Sequence, residues 1–211
     1  MSQTAKHSSW AYTEDHASQD PVFDAARFRA DHIGSQQISA GTASALSVLA
    51  AASGARALVE IGTGVGISGA ALLRGAPQTA VLTSIDSDAD HTSAAAETFR
   101  AEGVSISRTR LITGGADQVL PRLTAGGYDL VFINAEPQEV GAYATQGLRL
   151  IRSGGLLIVN DALDGDRVPK PAVRQDSTQA MRDLERSILE DDRLISALFP
   201  TGTGLLVAVR R

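Results

Sequence analysis

The stretch Val59-Glu60-Ile61-Gly62-Thr63-Gly64-Val65-Gly66-Ile67-Ser68-Gly69 decides the fold. ALVEIG at 57–62 reads as a short buried strand, and ISGAALLRG after the glycines reads as a helix. Glycines let the backbone turn sharply and let a ligand approach without meeting a Cβ. The helix start adds free N–H groups. Outward from this unit the alternation repeats. Strands are predicted at 80–86, 109–115, 128–134 and 154–161, with helices at ADHTSAAAETFRAEG, ADQVLPRLTA and VGAYATQGLRLI between them. Apolar strands alternating with helices predict a parallel sheet covered on both faces. LISALFP (194–200) and GLLVAVRR (204–211) flank a Thr-Gly-Thr turn and predict a closing antiparallel hairpin. Before the glycine unit, helices are predicted over 24–34 and 42–52. DGDRVPKPAVRQD after Leu163 reads as a loop, and STQAMRDLERSILED as a helix. Residues 1–20 are polar without periodicity and read as a flexible arm, leaving 21–211 as a single domain.

Asp86 ends the second strand, where a carboxylate can accept ribose hydroxyl protons. Two ligands fit this arrangement. Residues 64–69 spell GxGxxG, the dinucleotide pattern. S-adenosylmethionine also needs an acid at the second strand, but it carries no pyrophosphate. Glu60 beside the loop repels a diphosphate and suits a ligand bearing an ammonium and a sulfonium. A nicotinamide-dependent oxidoreductase ranks behind, because no residues suggest a hydride-transfer geometry.

Composition narrows the classes further. The 211 residues are 43% hydrophobic and 20% charged, enough apolar material for a substantial core. Nineteen basic against 24 acidic residues give a net charge of −5, which argues against nucleic-acid binding. The absence of cysteine excludes disulfides, zinc–thiolate sites and cysteine nucleophiles. No apolar run approaches the ~20 residues of a membrane span, so no membrane partner and a cytoplasmic location are expected.

The chain resembles the class I S-adenosylmethionine-dependent O-methyltransferases of the catechol and caffeoyl-CoA type, particularly their small bacterial members. VEIGTGVGISG, LTSID, SRTRLITGGADQVLPRL, YDLVFINAEP, LRLIRSGGLLIVND and DDRLISALFPTGTGLLVAVRR carry the resemblance, in order, from about Ile38 to Arg211. It implies an α/β Rossmann-like fold: a seven-stranded sheet, order 3-2-1-4-5-7-6, the last strand antiparallel, with helices on both faces. It implies S-adenosyl-L-methionine as cofactor, a small-molecule acceptor and a homodimer. Carried over by position, Glu60, Gly62, Thr63 and Ser68 hold the amino-acid part of the cofactor, Asp86 the ribose and Ala116 the adenine. Ile38 closes over the methionine end, and Gly64 and Asn134 complete the contacts. Gly114-Gly115-Ala116 departs from the family's Gly-Asp-Ala.

The family's divalent metal, usually magnesium, is held by an Asp at the fourth strand's end and an Asp-Asn pair at the fifth's. A Lys three residues after the first Asp helps remove the acceptor's proton. Here those positions are Asn134, Asn160-Asp161 and Pro137. One carboxylate replaces two, whereas magnesium favours charged oxygen ligands. The expectation is therefore no metal site, with Asn134 and Asp161 as the candidate catalytic residues. Glu136 and His32 are further candidate bases, and Lys170 or Arg174 could meet an anionic acceptor. His91, following Asp88 and Asp90 at a helix start, reads as solvent-exposed. The leading reading is O-methyl transfer to a small molecule without metal. The alternative is a degenerate member that binds S-adenosylmethionine or S-adenosylhomocysteine as a sensor or structural partner.

Overall fold

The protein is described by a computed structural model covering residues 3–17 and 20–211, without the side chains of residues 3–7. Its sheet is built on the period of two in β-strands. In β1 (Ala57–Ile61), Leu58 enters one apolar layer while Val59 and Ile61 enter the other. The same division holds in β4 (Tyr128–Ile133), where Leu130 and Phe132 oppose Val131 and Ile133. Strands this apolar on both faces must be covered twice. β2 (Val81–Asp86), β3 (Thr109–Thr113), β5 (Ile151–Asn160), β6 (Leu194–Phe199) and β7 (Leu205–Arg210) complete the order β3-β2-β1-β4-β5-β7-β6. Pairing is parallel from β3 to β5 and antiparallel where β7 meets β5 and β6. This is the predicted topology, hairpin included.

One layer is packed by α2 (Pro21–Ile33), α3 (Ala40–Ser53), α4 (Ile67–Gly75) and α5 (Ala89–Ala101). The other is packed by α6 (Ala116–Val119), α7 (Pro137–Leu150) and α8 (Asp176–Leu189). The small residues of α3 and α4 allow close approach. The Ser47 hydroxyl donates to the Ala71 carbonyl at 2.7 Å, and a Cβ on Gly75 would lie 1.9 Å from the Ser47 carbonyl oxygen.

Several boundaries differ from the sequence expectations. α2 begins at Pro21 rather than Asp24, because the Asp20 carboxylate accepts the Val22 and Phe23 N–H groups while Pro21 has none to satisfy. The helix expected over 116–125 is a single α-turn followed by a 3-10 turn at Leu120–Arg122, where Pro121 lacks the N–H that would extend it. β5 starts at Ile151, three residues earlier than expected, through a register irregularity opposite Tyr128 to Leu130.

The aperiodic N-terminal stretch forms α1 (Gln3–Asp15); residues 1, 2, 18 and 19 lie outside the described residues. Glu14 ties α1 down. Its carboxylate accepts the N–H of Gly41 at 2.9 Å and of Gly202 at 2.7 Å, and the Thr201 hydroxyl at 3.1 Å. Such long-range contacts leave no periodic mark in a sequence. Among the described residues no helix is long and apolar enough to cross a membrane.

Candidate active site

A cavity of about 750 Å³ opens at the C-terminal ends of β2, β1, β4 and β5. In an open parallel sheet this is where the strand order reverses and a crevice forms. β1 and β4 come so close there that a Cβ on Gly62 would lie 1.8 Å from the Asn134 carbonyl oxygen. Gly62 has φ 85°, a left-handed backbone that also favours glycine.

At the β2 end, Asp86 faces the cavity. Its Oδ2 accepts the Gly64 N–H at 2.9 Å and its Oδ1 the Asp88 N–H at 3.0 Å. A carboxylate has about four lone-pair sites, so each oxygen keeps capacity for a ligand hydroxyl. His91 is not the exposed residue expected. Its Nδ1 lies 3.2 Å from both Asp86 oxygens, and its ring lines the cavity. The signal was available: one turn into the helix after the strand-end acid, a side chain folds back toward that acid.

Of the predicted cofactor residues, Gly62, Gly64, Asp86 and Asn134 line the cavity. Ile38, Glu60, Thr63, Ser68 and Ala116 are buried and are not among the lining residues. Thr63 and Ser84 share a 2.6 Å hydroxyl contact, and the Ser84 hydroxyl donates to Glu60 Oε2. Glu60 Oε1, fully buried, has no hydrogen-bond partner among the described residues. Burial pushes Glu60 up to about 7, with the Asp86 charge adding to the shift and the hydroxyls of Ser68 and Ser84 opposing it.

At the other end, Asn134 and Asn160 meet directly: Asn160 Nδ2 donates to Asn134 Oδ1 at 2.9 Å. A strand running to 161, as expected, would place Asp161 on the opposite face from Asn160. Instead β5 ends at Asn160, and Asp161 has φ 52°. That left-handed turn brings both residues to the cavity wall. Asp161 Oδ1 accepts the Gly165 N–H at 2.9 Å. Glu136, capping position of α7, also faces the cavity, whereas His32, Lys170 and Arg174 do not. His32 Nδ1 lies 2.7 Å from the Phe28 carbonyl on the outer surface of α2. Among the described residues no group of three or more His, Asp or Glu is placed to hold a metal ion.

The loop after β5, read only as polar, is ordered by a buried carboxylate. Asp164 is fully buried and accepts from Arg167 Nε, Ser177 Oγ at 3.1 Å and Thr178 Oγ1. Hydrogen bonds from Arg167, joined by those of Thr178 and Ser177, hold its pKa down at about 2 against burial. Arg182 of α8 donates to the carbonyls of Val168, Lys170 and Val173, which fixes the outer half of the loop. Asp164 and Arg167 thus form a paired section of cavity wall.

Comparison with known proteins accords with this geometry. The family model described as O-methyltransferase matches residues 17–211. A Mycobacterium ulcerans protein with a provisional O-methyltransferase name is 44% identical over 200 residues, 95% of this chain and 89% of that one. A crystal structure of a Corynebacterium glutamicum protein superposes with a TM-score of 0.88 at 29% identity, covering 98% of this chain and 97% of that one. The Streptomyces achromogenes O-methyltransferase TomG, solved in complex with SAM, gives a TM-score of 0.85 at 25% identity, covering 100% and 99%. By family model, relatives and fold together, the chain belongs to the O-methyltransferase family.

Proposed function

We propose that this protein transfers a methyl group from S-adenosylmethionine to an oxygen of a small molecule without help from a divalent metal. Three observations support cofactor use: the strand-switch cavity, the glycine backbone at its floor, and Asp86 with spare acceptor capacity. The unpartnered Oε1 of Glu60 adds a buried acceptor behind the loop. A related structure, TomG, was solved with SAM. The cofactor supplies an electrophilic methyl on a positively charged sulfur.

The donor set does not fit a magnesium ion. The observation that carries this is the 2.9 Å hydrogen bond between Asn160 and Asn134. It joins two neutral amides where two ligands would sit, and Asp161 spends one oxygen on Gly165. Hard dications prefer several charged oxygens. Without a metal, the chain's contribution is alignment and proton removal. The Asn134–Asn160 pair walls the reacting centre, and the free Oδ2 of Asp161 takes the hydroxyl proton as the oxygen attacks.

Calorimetry tests the reading. S-adenosylmethionine should bind with one-to-one stoichiometry, and its affinity should change by less than about twofold between excess EDTA and excess magnesium. Stoichiometric magnesium binding at micromolar concentration, or no binding of the nucleoside at millimolar concentration, would overturn it.

A further inference from the structure

Resting on that reading, the cavity also says what kind of acceptor it takes. Asp86 and His91 lie at the β2 end, and Asn134, Glu136, Asn160 and Asp161 at the β4 and β5 ends. A nucleoside held at Asp86 leaves the second end to the acceptor. Among the described residues no Phe, Tyr, Trp or Met lines the cavity, and the one aromatic ring there, His91, stands at the nucleoside end. The apolar side chains at the acceptor end are Ala135 and Pro137. A flat aromatic acceptor therefore has no ring to stack against and little apolar surface to bury.

The charges are equally one-sided. Glu136 makes no side-chain hydrogen bond or ion pair among the described residues, and one oxygen of Asp161 is free. Arg167, the one Lys or Arg lining the cavity among the described residues, has its guanidinium on both oxygens of Asp164. Gln36, Gln37 and Gln138 join the two asparagines as carboxamides that can donate to or accept from hydroxyls. Such a surface solvates a polar molecule and repels an anion.

We propose that the acceptor is a small, non-aromatic amino alcohol, its ammonium paired with Glu136 and its hydroxyl presented to Asp161. In the transfer, the hydroxyl oxygen forms a bond to the methyl carbon as the carbon–sulfur bond breaks. The bonding pair stays on sulfur, giving the neutral thioether, and the hydroxyl proton passes to Asp161 and then to water. Atoms and charge balance with no further reactant.

Three ring compounds of similar size separate the terms: trans-2-aminocyclohexanol, trans-cyclohexane-1,2-diol and catechol. Each is titrated into protein saturated with S-adenosylhomocysteine and then assayed for methyl transfer with S-adenosylmethionine. Glu136 is exposed, so its ion pair is worth a few-fold: the amino alcohol should bind at least about threefold tighter than the diol, and catechol no better than the diol. Glu136→Gln should erase the preference while leaving S-adenosylhomocysteine binding intact. Its side chain holds nothing else in the fold, so folding is not at risk. Asp161→Asn should keep the amino alcohol's binding within about threefold yet slow transfer by about a hundredfold or more. Catechol binding as well as the amino alcohol, an unchanged preference in Glu136→Gln, or no binding of the amino alcohol at about 50 mM overturns the proposal. Protein that takes up S-adenosylhomocysteine but shows no selectivity sinks the acceptor assignment alone. Protein that refuses S-adenosylhomocysteine sinks the methyltransferase reading with it.

Discussion

In the proposed reading, Asn134 and Asn160 set what the site can hold through one heavy atom per side chain. Each amide keeps the shape of aspartate and loses its charge. Two facing carboxylates would repel, and a cation would relieve them; two amides satisfy each other instead, as the 2.9 Å bond shows. Restoring the charges should restore the need for a cation. The double variant Asn134→Asp, Asn160→Asp is expected to gain magnesium affinity by at least about tenfold over the native protein and to be stabilised by the ion. A magnesium series followed by thermal unfolding reads this directly. Equal magnesium responses in variant and native protein would mean that the two positions do not control cation binding. The substitutions themselves were legible in the sequence, since position and residue type suffice to count carboxylates. The hydrogen bond between them was not, because it depends on the register of the two strand ends and on side-chain rotamers, which residue pattern does not specify.

At the scale of elements, the loop after β5 is the part that sequence reading described least. Its polar, proline-bearing composition says loop, and nothing in DGDRVPKPAVRQD marks Asp164 as fully buried. The carboxylate is buried because α8 starts beneath it and offers the hydroxyls of Ser177 and Thr178, while Arg167 folds back from three residues on. Asp164 also has φ 49°, which aspartate tolerates better than most residues. Asp164→Asn leaves Arg167 without its counter-charge and weakens the start of α8. A loss of about 1–3 kcal/mol in unfolding free energy is expected from the weakened hydrogen bonds at the buried carboxylate, Arg167 itself being exposed. Urea denaturation measures it, and a loss under about 0.5 kcal/mol would show that the loop holds without this hub. Because the same loop walls the cavity, the variant should also weaken acceptor binding. α1 was hidden for a similar reason: its anchor is Glu14 reaching Gly41 and Gly202, the latter far along the chain.

For the whole molecule, two buried carboxylates give opposite pH signs. Glu60 has its folded pKa raised from 4.5 to about 7 by burial. Between those values the folded chain holds a proton that the unfolded chain has lost. Stability from this group therefore falls as pH rises through the window and levels off above about 7. Asp164 is lowered from 3.8 to about 2, so its contribution is full above the ordinary carboxylate range and disappears as pH falls toward 2. Unfolding free energies measured from pH 3 to 8 should decline across the upper window in the native protein, and Glu60→Gln should flatten that decline while leaving the acid limb in place. A native profile matched by Glu60→Gln above pH 4.5 would contradict the assignment.

The sequence by itself determined the order of strands and helices, the doubly covered sheet, the glycine turn and the presence of neutral amides at positions 134 and 160. Each of these is local, written in a period of two, a run of glycines or the identity of one residue. The tertiary structure alone decided that Asn160 bonds to Asn134, that Asp161 turns in beside Asn160, and that Asp164 is buried. Those outcomes depend on partners distant in sequence and on backbone angles that packing selects, and neither leaves a trace in local residue pattern.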